Sequence, residues 1–288
     1  MLAAMLDQDF LTPADAEAVL ADVARQMKLG KVIPFLGPGL TELVQPTIPL
    51  TPEALAAFFG TKVALPRRAK GNPWSAAQHI ESTRHRQTVS ALMNEAFSPV
   101  VEPTPLLKYL ASLPLPVLID TWYDGAARLA FADRSDWGEV QGITRSGLNE
   151  DRWYRFYDAS GAEVDKTVAE TWKTILYKPH GGATPAKNFL ISDADYVEVL
   201  TEIDIQTPIP DIIKDRRTER NFLFIGCRFH DQLLRTYARQ LSKRSVLPQY
   251  AVVDPALLSK NERRFFATQG LVPLAIPLQR ATEIILAA

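Results

Sequence analysis

The chain has 288 residues, 47% hydrophobic and 23% charged, with a formal net charge of −1. Those figures fit one large or two small globular units with a sizeable core, and they argue against nucleic-acid or anionic-membrane binding driven by bulk charge. The single cysteine, Cys227, excludes an intramolecular disulfide and a four-cysteine zinc site.

Thr12-Pro13-Ala14-Asp15 predicts a helix start, with Thr12 as cap, Pro13 in the first turn and Asp15 at the positive end. Val19, Leu20, Val23 and Met27 keep helical spacing, and Gly30 closes the segment. Val32 to Leu36 is an apolar run suited to one buried strand, and it stops at Gly37-Pro38-Gly39. Glycines directly after a buried strand permit a sharp turn and a close approach to a ligand, and backbone N–H groups there can hold a phosphate oxygen. Thr41 adds a hydroxyl, whereas Pro38 removes one donor. An ordinary strand-to-loop turn explains the same residues.

Thr51-Pro52-Glu53 opens a second helix with Leu55, Phe58 and Phe59 on its apolar face and Gly60 as its stop. Asn72-Pro73 opens a helical stretch to about Phe97, with a break expected near Ser82-Thr83, and Thr104-Pro105 opens a short helix ending near Ser112. Pro116 to Asp120 reads as the next strand, followed by Thr121 to Gly125 and a helix through Leu129 and Phe131. Residues 133–171 mix polar and aromatic residues, in Glu139–Thr144 and Trp153–Asp158, and predict one or two β-hairpins. Trp172–Lys178 is a strand ending at Pro179-His180-Gly181-Gly182, and Asn188–Ile191 is a short strand before a helix capped by Ser192. Asn221–Ile225 is a buried strand ending at Gly226-Cys227, with a helix over about Asp231–Leu241 that places Leu233, Leu234, Tyr237 and Leu241 on one face. Tyr250–Val253 ends at Asp254, Ser259 to Glu262 has capping-box spacing, and Leu271–Ile276 is the last strand.

Short, continuous apolar strands that alternate with helices predict an α/β fold: a Rossmann-like, open, mostly parallel sheet covered on both faces. Residues 1–30 are assigned to an N-terminal helix. Residues 31–288 form a single α/β domain with a helical insertion over about 42–112 and a β-rich insertion over about 133–171. Ligands in such sheets sit beyond the carboxyl ends of the strands, where Gly37-Pro38-Gly39, Asp120–Asp124, His180-Gly181, Gly226-Cys227 and Asp254 all fall.

Taken in order, from about residue 30 to residue 277, these segments resemble the sirtuin-like (silent-information-regulator-like) NAD-binding domain family. Phe35 to Thr41 looks like the family's Gly-Ala-Gly-x-Ser loop, which implies a phosphate cradle at Gly37, Pro38, Gly39, Leu40 and Thr41. Thr47-Ile48-Pro49 resembles the Pro-containing segment that follows, and Leu118–Asp124 the strand ending in Thr-Asn-Tyr-Asp. Tyr177 to Gly181 resembles the His-Gly motif, Phe189–Tyr196 the bacterial strand and Asp-Tyr pair, and Phe222–Arg228 with Asp231 the late strand, glycine turn and helix.

The resemblance implies NAD as ligand or substrate, with no zinc ribbon, and makes protein deacylation unlikely in a chain with one cysteine. It is closer to the bacterial branch that hydrolyses NAD, often in phage defence. His180 then acts on the ribose hydroxyls, Asp124 beside it, and Gly226, Cys227 and Asp254 border the nucleotide. Trp122 stands where the family has the asparagine that positions ribose and water. An indole offers one donor and no acceptor, so it counts against catalysis.

Several residues keep two readings. His180 could instead satisfy a loop carbonyl, and Asp254 could be an exposed turn aspartate before Pro255. Cys227 near His230 suggests a nucleophile, although a thiol at a buried strand end is usually inert. His79 and His85, six apart, do not stack as metal ligands, and no metal is assigned. Lys214, Arg216, Arg217 and Arg220, interleaved with Asp215 and Glu219, read as a solvated helix face.

Three functions therefore stand: an NAD- or ADP-ribose-binding protein with weak or absent turnover, an active NAD glycohydrolase, and an adaptor without nucleotide binding. No apolar run approaches the roughly 20 residues of a membrane span. Met1 to Phe10 carries no secretory pattern, so a cytoplasmic protein is expected, without membrane or nucleic-acid partners. A chain without an added effector domain is expected to act with a protein partner or as a homo-oligomer.

Overall fold

The computed structural model describes residues 10–43, 48–143, 153–202, 209–243 and 245–288, without the side chains of Thr41, Glu42, Glu202, Gln232 and Leu233. Thr47 and Thr144 of the motifs above lie outside the described residues, as do the Thr41 hydroxyl and the Leu233 side chain.

One local rule starts most of the helices in the first third of the chain. A Thr or Asn side chain accepts an N–H three residues on, and Pro fills the first helical position, where no N–H is needed. Thr12 caps α1 (Pro13–Lys28), which is followed by β1 (Val32–Leu36). Thr51 caps α2 (Pro52–Lys62) and Asn72 caps α3 (Pro73–Arg84), with N–H to side-chain oxygen distances of 3.1 and 3.0 Å. After α4 (Arg86–Phe97), Thr104 caps α5 (Pro105–Ser112) at 3.1 Å.

Next come β2 (Val117–Asp120), α6 (Ala126–Ala130), β3 (Trp137–Gly142), β4 (Tyr154–Asp158), β5 (Glu163–Val164), β6 (Thr174–Lys178), β7 (Gly181–Gly182) and β8 (Asn188–Phe189). The chain then runs through α7 (Asp193–Glu202), α8 (Asp211–Arg217), β9 (Asn221–Ile225), α9 (Gln232–Ser242), β10 (Gln249–Val253), α10 (Lys260–Gln269), β11 (Leu271–Ala275) and α11 (Leu278–Ala287).

Nine strands form one sheet in the order β11-β10-β9-β1-β2-β6-β3-β4-β5. The seven strands from β11 to β3 are parallel, and β4 and β5 follow antiparallel. This is the α/β, Rossmann-like open sheet that the alternation of strand and helix predicts. The 133–171 stretch joins it directly, because β3 pairs with β6 and sets Val140 opposite Tyr177. Apolar residues fill a core on each face. One holds α1, α11 and the helical insertion, and the other holds α8, α9 and α10. Among the described residues no helix is long and apolar enough to cross a membrane.

Several sequence expectations need correction. Gly60 does not stop α2, which runs on to Lys62, because the buried Leu55 and Phe59 outweigh the roughly 1 kcal/mol cost of a helical glycine. The break between α3 and α4 falls at His85, with φ +74, and not at Ser82-Thr83. Phe131 caps α6 and is not part of it, β6 begins at Thr174, and only Asn188-Phe189 of the 188–191 segment is strand. The three arginines of the basic cluster do not form a solvated face. Arg217 is buried against the carbonyls of Gln240 and Leu241, Arg216 bonds those of Pro116 and Trp172, and Arg220 bonds that of Gly30.

The helical insertion is pinned to the sheet side by Arg86. Its Nη1 lies 2.7 Å from Asp195 and 3.1 Å from Glu81, and Nη2 donates to the Phe189 carbonyl at 2.6 Å. Asp195 also accepts from the backbone of Ile191 and Ser192 and is buried, so an unpaired carboxylate there is costly. Arg86→Met is expected to lower stability by about 3 kcal/mol in denaturant unfolding. A change under about 0.5 kcal/mol would remove the clamp as a stabilising element.

Candidate functional site

Strand order reverses at β1: β2 and β6 lie on one side of it, and β9, β10 and β11 on the other. Such a switch point opens a crevice at the carboxyl ends of the strands. A cleft does lie there, floored by the loops after β1, β2 and β9 and roofed by the start of α2 and α3. Its walls are mainly aromatic and aliphatic, including Phe35, Trp74, Trp122, Tyr123, Tyr196, Phe229 and Tyr237. The space inside is about 140 Å³, below the roughly 300–1,000 Å³ of ordinary ligand pockets.

The glycines after β1 and β9 serve each other. Gly39 N–H donates to the Gly226 carbonyl at 3.0 Å, and Gly37 N–H to the Ile225 carbonyl at 2.9 Å. A Cβ on Gly37 would collide with the Gly226 carbonyl, and Gly226 itself holds φ +66. Leu40 is buried, and its N–H points back to the Gly37 carbonyl at 3.3 Å. Pro38 has no N–H. The donors of residues 37–40 are thus spent within the protein, and none of them turns into the cleft.

His180 stands on the cleft wall, 4% exposed, with its ring edge-on to Tyr196 and Tyr237 at centroid distances of 5.3 and 5.0 Å. Nδ1 lies 3.2 Å from the Thr121 carbonyl, which can only accept, so Nδ1 carries the proton. Burial, with a smaller push from the Lys178 charge, lowers its pKa to about 4. The ring is therefore neutral at pH 7, with its Nε2 lone pair buried and without a partner among the described residues. A neutral imidazole with a free acceptor can receive a hydroxyl proton.

A buried ion pair holds the loop whose Thr121 carbonyl fixes this tautomer. Lys178, at the end of β6, puts Nζ 2.5 Å from Asp120 Oδ2 and donates to the Asp124 carbonyl at 3.0 Å. The other Asp120 oxygen accepts from Trp122 N–H at 3.1 Å. Burial pulls the Lys178 pKa down, but the carboxylates of Asp120, Asp124 and Glu139 outweigh it and leave the ammonium above its ordinary value. Asp124 itself is off the cleft wall. Its Oδ1 accepts from Ala126 N–H, and burial and the Asp120 charge push its pKa up to about 6.

Trp122 lines the cleft, and its indole N–H donates to the Pro49 carbonyl at 3.1 Å. Phe97 and Tyr123 pack on it at 5.7 and 5.3 Å. Gly226 and Cys227 border the cleft too, but burial pushes the Cys227 thiol up and away from thiolate character. Asp254 lies elsewhere, exposed, with its carboxylate on Ala256 N–H. His230 does not serve Cys227. Its Nε2 faces Glu53 at 3.6 Å across the cleft mouth. Arg228 is the one fixed positive charge among the described lining residues, and it lies 3.2 Å from Glu262. No group of three or more His, Cys, Asp or Glu among the described residues is arranged to hold a metal ion.

Sequence reasoning included Lys178, Arg228, Tyr196 and Tyr237 in its segments but gave none of them a role in the site. Lys178 had a usable signal: a lysine ending a mostly apolar strand needs a carboxylate, and Asp120 ends a neighbouring apolar run. Tyr196 and Arg228 fell inside segments that carry the family resemblance, but only the fold brings them and Tyr237 to the cleft.

The His180 geometry sets a pH dependence. The unfolded ring, with a pKa near 6.5, binds a proton that the folded ring, near 4, refuses. Its contribution to stability is complete above about pH 6.5, falls as pH drops toward 4 and reaches about 3 kcal/mol of loss there. Asp124, raised to about 6, gives the opposite slope over part of this range. The quantity to measure is thus the difference between the wild type and His180→Gln: the wild type should lose about 3 kcal/mol of unfolding free energy relative to the variant as pH falls from 7 to 4. Parallel curves would place His180 in a solvated setting.

The model of the SIR2-like domain family matches residues 116–274. No curated protein matches the chain. The matched span begins just before β2 and ends within β11, so it includes Asp120, Trp122, Lys178, His180 and the Gly226 turn and leaves out β1 and the helical insertion. It covers more than half of the sequence, and the order of strands and of cleft loops agrees with it: this chain belongs to the SIR2-like domain family.

Proposed function

We propose that the chain binds NAD or ADP-ribose in this cleft and turns NAD over weakly or not at all. The buried, unpartnered Nε2 of His180 carries the binding half of this reading. An orphaned buried acceptor costs about 1–3 kcal/mol, and a ribose hydroxyl supplies the missing donor. Trp122 carries the other half: its indole N–H is committed to the Pro49 carbonyl, so no amide stands beside His180 to orient a water.

The pyrophosphate has to be held differently from the glycine cradle that the family resemblance implies. Arg228 supplies the charge on the cleft wall. A dinucleotide also exceeds the 140 Å³ of the cleft, so binding requires the α2 rim to part from the loop after β9 at the Glu53–His230 contact. The adaptor reading draws on one observation of its own, the internal saturation of the N–H groups of Gly37, Gly39 and Leu40.

Calorimetric titration of NAD and ADP-ribose, with nicotinamide release followed in the same samples, decides among the three. Saturable binding without release is expected, and Gly39→Asp, which drives a side chain against Gly226, should abolish it. Release that disappears in His180→Ala would make the protein a glycohydrolase. No binding of either nucleotide would leave the adaptor.

A further inference from the structure

Outside the cleft, α9 and α10 lie side by side with an unusual charge balance. Together they carry Arg235, Arg239, Lys260, Arg263 and Arg264 against a single acid, Glu262, in a chain whose net charge is −1. Glu262 is fully buried and turned inward, accepting from Arg228, Ser259 and the Phe229 N–H, so it neutralises nothing on the outer face.

Arg235 and Arg239, one helical turn apart on α9, meet Asn261, Arg264 and Thr268 of α10 around a groove of about 290 Å³ floored by Phe265. No carboxylate is among its described lining residues. The guanidinium groups of Arg239 and Arg264 have no hydrogen-bond or ion-pair partner among the described residues, and both residues are exposed. Like charges one turn apart repel, and forked guanidinium groups around a concavity suit the oxygens of a phosphoryl group.

We infer that the α9–α10 groove is a second binding site, distinct from the cleft, for a small polyanion of the di- or triphosphate class. Three guanidinium groups gathered around one groove of about 290 Å³ favour a small ligand over an extended polyanion, which would need charge spread along a face. Arg235 links the groove to the cleft, since its Nη1 donates to the carbonyls of Phe229 and His230 at 2.6 and 2.7 Å, and both of those residues line the cleft. An anion that draws Arg235 outward therefore competes with the hydrogen bonds that hold one cleft wall.

The probe is inorganic pyrophosphate, titrated into the full chain at about 0.15 M salt. Saturable binding with Kd below about 1 mM is expected. The double variant Arg239→Gln/Arg264→Gln keeps two good helix formers at exposed positions, so matching thermal midpoints should confirm its fold, and its affinity should fall about 10- to 100-fold. Equal affinity in variant and wild type would place the anion elsewhere, the cleft included, and overturn the assignment. Absence of saturable binding below about 10 mM would overturn it too, as would retention on a duplex DNA column without pyrophosphate binding. NAD titration of the same variant keeps the two sites apart, because neither arginine lines the cleft.

Discussion

The end of β1 and the end of β9 meet in close backbone contact, and the site depends on that contact. Side chains at Gly37, Gly39 or Gly226 would force the two loops apart, because backbone atoms of one turn occupy the space where the Cβ of the other would be. Glycines in this setting are usually read as making room for a phosphate. Here they first make room for each other, and the N–H groups that a phosphate would use are consumed in the contact. The same residue types at the same spacing thus serve packing, and the phosphate role requires a different arrangement of the same loop.

Beneath that contact, charge is buried where it is most expensive to leave unpaired. Lys178 and Asp120 end neighbouring strands, one register step beyond the Ile119–Tyr177 pairing, and meet at 2.5 Å. The pair holds Trp122 N–H and the Asp124 carbonyl together, and so fixes the loop whose Thr121 carbonyl sets the His180 tautomer. Removing one member would strand the other in a low-dielectric interior. The chemistry of one imidazole is therefore set three contacts away, by a lysine that never reaches the cleft.

The fold was legible in the chain to a useful degree because its signals are local. Thr-Pro and Asn-Pro starts, apolar runs ending in glycine, and the Ser259–Glu262 capping box mark elements within a residue or two of where they form. What escaped was non-local. Nothing at Gly60 or His85 says where a helix will yield, since burial of neighbouring faces decides it. The basic run at residues 214–220 reads as solvated until α8 is placed on the sheet, where its arginines reach carbonyls of four other segments. Trp122 could be read as a departure from the family pattern, but its anchor on Pro49 could not.

Two of the five tryptophans, Trp74 and Trp122, stand on the cleft wall, and Trp137, Trp153 and Trp172 are buried away from it. Trp74 meets Tyr196 edge-on at 6.0 Å, and Trp122 lies among Phe97 and Tyr123. An aromatic ring entering the cleft would have indole surface to stack on from the roof and from the floor. The protein thus carries its own optical reporter: occupancy of the cleft is written into its intrinsic fluorescence, while the three remote indoles supply an internal reference.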